Sequence, residues 1–335
     1  MSKNLNEKVV LDRRGFVTLG AGAFAAVAGL GLAGCSDTSS DASKGSAGSS
    51  SSSSKDEEPK AVDIDADAYD KLIASSPVAD DATVQASTWA AAVKSAGVLK
   101  VGGVQTSTLF SLLNEKDGVT RGFDAGLSQM LANYILGENK TEITQVTSDT
   151  RESVLQNGQV DSVFGTYSIN EDRKKVISFA GPYYTTQQSI LVMADNKDIN
   201  GVDDLAGKNV AVQSGSTGPE IVAEYAPKAS TQEFKTDEEA RQALAQGRVD
   251  AYVIDSNMQL GAMVKNPGKY RLAGDPFGPE DQYGIGLPLD SDGVAFVNTW
   301  LADIEDKGLW KDLWKICIGD RADVKDVPEP PAIGA

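Results

Sequence analysis

The sequence predicts an α/β fold of two lobes, two doubly wound sheets joined by two crossover strands. Three observations carry this expectation. The first is a repeat within the chain. Leu155-Gln156-Asn157-Gly158-Gln159-Val160-Asp161-Ser162-Val163-Phe164 and Leu244-Ala245-Gln246-Gly247-Arg248-Val249-Asp250-Ala251-Tyr252-Val253 each close a polar helical run with Gly and enter an apolar strand. The second is a pair of separate beginnings. Leu99-Lys100-Val101-Gly102 and Lys208-Asn209-Val210-Ala211-Val212 are short strands, each leading to a hydroxyl-rich turn, Gln105 to Thr108 and Gln213 to Thr217. The third is that polar clusters 165–173, 213–217 and 255–256 fall at strand ends, where open α/β sheets bind their ligands. Alternating strands and helices imply parallel strands covered on both faces.

Each element has a local reason. Asp12-Arg13-Arg14-Gly15-Phe16-Val17 places two arginines before an Ala- and Gly-rich run that ends Leu32-Ala33-Gly34-Cys35. Twin arginines ahead of such a run resemble a Tat export signal, and Leu-Ala-Gly-Cys resembles a bacterial lipobox, in which the Cys receives a diacylglycerol. A transmembrane anchor is the alternative, because the run is about long enough to span; its many small residues make it weakly apolar. Residues 36–54 are nearly all Ser, Asp, Ala, Gly and Thr and cannot bury enough apolar surface to fold. They read as a tether between lipid and body. Trp89 and Val93, four apart with three alanines between, suit a helical extension.

In the body, a hairpin-like interruption at Lys116 to Gly118 precedes a helix over Asp124–Leu136, with Leu127, Met130, Leu131, Tyr134 and Ile135 on one face. Pro219-Glu220 opens another helix. Ser189–Met193 and Tyr283–Leu287 are the expected crossings between lobes; helices over Val294–Ile304 and Leu309–Ile318 return to the first lobe. The expected organisation is signal 1–34, lipidated Cys35 and tether 35–60, extension 61–97, lobe 1 over 98–191 and 283–319, lobe 2 over 192–282, and a disordered Pro-rich tail over 320–335.

Composition removes several function classes. The formal charge is −17, which argues against nucleic acid. With no histidine, Ser-His-Asp and Cys-His catalysis are out, as are His-containing zinc sites. Of the two cysteines, Cys35 is assigned to lipid and Cys317 to a buried apolar helix, so neither a disulfide nor a transition-metal site is expected. No cofactor is expected.

Gly165-Thr166-Tyr167-Ser168-Ile169-Asn170-Glu171-Asp172-Arg173 follows an apolar strand and ends in one arginine. A guanidinium fork can grip a carboxylate with two parallel hydrogen bonds, and upstream hydroxyls add more. The alternative is a polar turn whose Arg pairs with Glu171 or Asp172.

Taken in order, Gly122-Phe123-Asp124, Leu155-x-x-Gly158-x-Val160-Asp161, Tyr167-Ser168-Ile169 with Arg173, Phe179-x-Gly181-Pro182-Tyr183, Asp204-Leu205-x-Gly207-Lys208, Ser214-Gly215-Ser216-Thr217, Gly247-Arg248-Val249-Asp250-Ala251 and Tyr283-Gly284-Ile285-Gly286 resemble the family 3 solute-binding proteins of polar amino-acid ABC transporters. The likeness runs from about Leu99 to Gly319. Gly165–Asn170 and Thr150-Arg151-Glu152 are similar to the actinobacterial glutamate-binding branch. The resemblance implies a two-lobed, type II periplasmic-binding-protein-like fold and a monomeric, lipid-anchored extracytoplasmic receptor. That receptor would pass a polar amino acid to a membrane permease, with glutamate first and glutamine or aspartate next.

Residue by residue, the resemblance implies that Arg173 holds the α-carboxylate, with Ser216 and Thr217 adding donors. Ser168 and the carbonyl of Gly165 or Thr166 would receive the α-ammonium, with Asp255 as its ionic partner. Gln213 would meet the distal end. Val104 to Thr108 lacks the aspartate and aromatics many members carry there, which leaves Phe110, and then Tyr167 or Tyr184, as pocket walls. An enzyme on the same scaffold or a ligand-sensing module are the rival readings. No paired carboxylate is placed for acid–base work, and no signalling module accompanies the body.

Overall fold

The computed structural model describes residues 61–334; the calls on the export signal, Cys35 and the tether lie outside them. Among the described residues there are twelve strands: β1 (Leu99–Gly103), β2 (Thr106–Ser107), β3 (Ser111–Leu113), β4 (Thr120–Arg121), β5 (Thr141–Gln145), β6 (Ser162–Phe164), β7 (Ser178–Met193), β8 (Asn209–Gln213), β9 (Ser230–Phe234), β10 (Ala251–Asp255), β11 (Tyr270–Leu272) and β12 (Phe277–Leu287). The order β5-β1-β6-β12-β7-β10-β8-β9, with β11 also on β7, makes one nine-stranded sheet. The first lobe's β5, β1 and β6 are mutually parallel. So are β10, β8 and β9 of the second.

The lobe sheets share the long antiparallel strands β7 and β12, so hydrogen bonding runs unbroken between them. The crossing falls earlier than Ser189–Met193. β7 pairs with β12 from Ser178 to Gln188 and with β10 from Gln188 onward. Apolar content alone drew attention to the buried end of β7, whereas the stretch that passes between lobes, Tyr184–Gln188, is mostly polar.

Both faces of each lobe are covered, as parallel sheets require. In the first lobe the helix Phe123–Leu136 is buried almost all round, since the 61–97 segment and the C-terminal helices enclose the side turned from the sheet. Helices Ala66–Ala74, Asp81–Gln85 and Thr88–Ala96 insert Tyr69, Ile73, Val84, Trp89 and Val93 into the same core as Trp300, Trp310 and Leu313. Asp65, Asp80 and Ser87 cap them through side-chain bonds, and Arg121 ties Asp70 down at 2.7 Å. The second lobe has separate apolar clusters on its two faces. Its helix Asp237–Ala245 starts with a reciprocal capping box between Thr236 and Glu239.

The tail corrects an expectation. Beyond Asp320 the chain is docked rather than disordered. Arg321 donates to the carbonyls of Val62 and Thr108, Val327 and Ile333 pack on the first-lobe core, and Gly334 N–H donates to Gly181 at 2.8 Å. Prolines favour an extended chain without internal hydrogen bonds; here side chains and one backbone bond supply the anchorage. Cys317 is fully buried and free. Among the described residues no helix is long and apolar enough to cross a membrane.

Candidate functional site

The carboxyl ends of β1, β6 and β8 and the loop after β5 converge on a cavity of about 50 Å³ between the lobes, room for a few water molecules. Phe110, Asp124, Arg151, Gly165 and Thr166 line it from the first lobe, and Gln213, Thr236, Asp237 and Met258 from the second. Phe110 is a wall held edge-on by Phe123, Tyr184 and Tyr283, at 5.3–6.3 Å between ring centres. Tyr184 stacks on Tyr283 instead of lining the cavity.

Arg151, from the first turn of the helix Arg151–Gln156, was missed as a site residue. Its Nη1 donates to the carbonyls of Gly165 at 3.0 Å and Thr166 at 3.1 Å. Its buried Nε has no partner. These are the carbonyls expected to receive an ammonium; here the chain's own cation occupies them. Thr166 sits at φ 44, a left-handed conformation rare outside glycine, and its N–H is held by Asp124 Oδ2 at 2.9 Å.

Arg173 lies beside the cavity, not in its wall. Asn170 caps its helix and fixes its backbone N–H at 2.8 Å. Its guanidinium donates to the Ser168 carbonyl at 2.7 Å and, across the cleft, to the Gly215 carbonyl at 2.8 Å. Neither Glu171 nor Asp172 takes it; the nearest carboxylate is Glu152 at 3.7 Å. Tyr167 separates the two arginines, 4.2 Å from Arg151 and 5.2 Å from Arg173, and its hydroxyl donates to Glu152 at 2.6 Å. It is therefore a spacer between like charges and no pocket wall.

The second-lobe turn meets this arrangement at Gly215. A Cβ there would stand 2.5 Å from Asp149 Oδ1 and 2.8 Å from its backbone nitrogen. Ser214 Oγ donates to Asp149 at 2.5 Å, so the lobes touch along this line. Ser216 turns inward to the Gln213 carbonyl at 2.7 Å. Thr217 donates to Asp281 at 2.9 Å. Asp255 accepts from Gln188 and from the Tyr283 hydroxyl, the latter at 2.6 Å. Ser168 and Asp255 are thus buried outside the cavity wall, whereas Ser216 and Thr217 line a separate groove of about 330 Å³ with Arg173, Glu152 and Gly215. Asp124, Asp149, Arg151 and Asp281 join the expected residues. A strand-end rule alone could have found Arg151, but β5 reads Thr-Glu-Ile-Thr-Gln and carries no apolar strand signal.

The electrostatics follow from burial. Asp124 is pushed up to about 7 by desolvation, opposed by the Thr166 N–H and Tyr183 hydroxyl. Asp255 is pushed up to about 7 by desolvation and by Asp281, and Asp281 is itself raised by desolvation. Arg151 is lowered to about 10 by desolvation and by Arg173, so it stays charged at neutral pH. Two guanidinium groups and three carboxylates converging on one cleft can answer both poles of a zwitterion.

Residues 99–317 match the family described as bacterial extracellular solute-binding proteins, family 3. The chain is 41% identical over 196 residues, 58% of its length and 74% of the relative's, to the glutamine-binding protein of Geobacillus stearothermophilus. It is 34% identical over 189 residues, 53% of its length and 64% of the relative's, to the glutamate-binding protein GluB of Corynebacterium efficiens. A solved mutant of the T. maritima protein ArgBP superposes with a TM-score of 0.63 at 30% identity, covering 69% of this chain and all of that one.

Proposed function

The chain belongs to the bacterial extracellular solute-binding proteins, family 3, and from that premise we propose that it captures glutamate between its lobes and delivers it to an ABC permease. The observation that carries the substrate is Arg151. It is a buried cation in the cavity wall with a free Nε, and an unsatisfied charged donor is costly unless a ligand oxygen completes it. Gln213 faces the same cavity from the other lobe. Arg173 and Asp255 are the proposed anchors for the α-carboxylate and α-ammonium. Two of the five N–H groups of the Arg173 guanidinium are bonded to the Ser168 and Gly215 carbonyls, which leaves others for a carboxylate. Glutamine is the second reading, favoured by the Gln145 and Gln213 amides in the cavity wall and by the glutamine-binding relative.

A thermal-shift panel of the twenty amino acids on the full-length chain tests this, because a ligand that binds the native state raises Tm by mass action. Glutamate should give the largest rise, with glutamine behind it. A larger shift with glutamine replaces the first reading by the second, and no shift with any amino acid sinks both.

The proposed address is the outer face of the membrane, through diacylglycerol on Cys35 and the Ser-rich tether. Fractionation of cells carrying Cys35→Ser should find the chain released from the membrane. Retention there would instead favour an anchor formed by the apolar run before Cys35.

A further inference from the structure

The crossover strand β12 carries an acid that the zwitterion scheme does not use. Asp281 is half-buried and bonded to residues of both lobes. It accepts from Thr217 Oγ1 of the second lobe at 2.9 Å, and the Ser168 hydroxyl of the first lobe also stabilises its charge. Thr217 Oγ1 in turn accepts from Gln188 Nε2 at 3.3 Å, and the same amide donates to Asp255. Asp255 and Asp281 are therefore the two ends of one short hydrogen-bonded chain that crosses the hinge.

All the donors in that chain are neutral. Among the described residues neither Asp255 nor Asp281 forms a salt bridge; the nearby cations are spent elsewhere. Arg151 donates to Gly165 and Thr166, and Arg173 to Ser168 and Gly215. Asp255 is buried and Asp281 half-buried, and the charge of Asp281 works against ionisation of Asp255, which the carbonyl-bound guanidinium groups oppose only in part. We infer that Asp281 is a second anionic partner for the ligand's ammonium, acting with Asp255, and that ligand entry expels a proton the two acids share. This rests on the amino-acid reading given above.

The titrating and charged groups that face the pair are Arg151 and Arg173 from the first-lobe helices, Tyr283 beside it on β12 and Tyr252 on β10. The arginines stay protonated, and burial drives the tyrosines upward. Within the pair Asp255 is pushed up to about 7 and Asp281 is raised in the same direction. Asp124 in the cavity wall is also pushed up to about 7, and the Asp281→Asn comparison separates its protons from those of the pair. The sign follows. In the free cleft the pair keeps a proton below that range. An ammonium favours the doubly ionised form, so binding sends one proton to solvent. Affinity should rise with pH through this range and level above it.

The experiment is titration calorimetry of the full-length chain with L-glutamate, repeated with L-glutamine, at pH 6 and pH 8 in buffers of different ionisation enthalpy. Release of about one proton per ligand at pH 6, falling towards none at pH 8, is the expected result. In Asp281→Asn, release at pH 6 should drop to less than half and affinity at pH 8 should fall about 10- to 100-fold. Asp281→Glu should keep the release. A merely structural role would lower affinity equally at both pH values with the proton count unchanged, and that result overturns the inference. So does binding of either ligand with no proton release by the native chain. Binding of neither ligand overturns the amino-acid reading itself, and this proposal with it.

Discussion

Arg151 and Arg173 show how much a single guanidinium depends on what it touches. Both are buried, and both reach the Gly215 carbonyl, at 3.5 Å and 2.8 Å; only Arg151 borders the cavity. In the proposed function the difference is one of role, with Arg173 for the backbone end of the ligand and Arg151 for its side chain. Replacing Arg151 with Gln should therefore cost glutamate about 10- to 100-fold in affinity, the worth of a charge-assisted pair, and cost glutamine much less. Equal losses measured by calorimetry would show that Arg151 supports the fold of the loop and does not read the ligand. The sequence carried half of this site. Arg173 was legible because it follows a strand end at a short, hydroxyl-rich spacing. Its partner Gly215 lies 42 residues away, and no local pattern announces that contact. Arg151 entered only through the likeness of Thr150-Arg151-Glu152 and was given no role, because the strand before it is polar and half-exposed.

At the scale of elements, the turn Ser214–Thr217 is one of the places where the lobes touch. Gly215 has φ 67, where an L side chain is strained, and it abuts Asp149 so closely that a Cβ does not fit. Gly215→Ala should hold the lobes apart, weakening ligand binding at least about tenfold while lowering stability by only about 1 kcal/mol. Small-angle scattering that shows the same ligand-induced compaction as the native chain would refute this. Regular elements were the easiest to read. Gly158 and Gly247, both with positive φ, close their helices where the repeat placed them, and Pro219 sits in the first turn of Gly218–Tyr225. The C-terminal segment misled because proline content reports local stiffness and says nothing of a distant surface that Val327 and Ile333 can reach.

For the whole molecule, the repeat in the chain and its two separate strand beginnings pointed to the two lobes. What it could not give was the continuity between them. Strands β7 and β12 pair over most of their length and hold the ladders of both lobes at once, a property of register that sits in no single segment. The acid pair Asp255–Asp281 has the same origin. One member ends β10, the other rides on β12, and they are 26 positions apart in the chain. A connection of this kind behaves as a leaf spring rather than a pin. A swing of one lobe spreads as twist along the paired strands with their hydrogen bonds intact, so no part of the join has to loosen for the jaws to move. Stiffness then becomes a quantity that can be tuned from a position such as Thr185, which is exposed on β7 between buried neighbours.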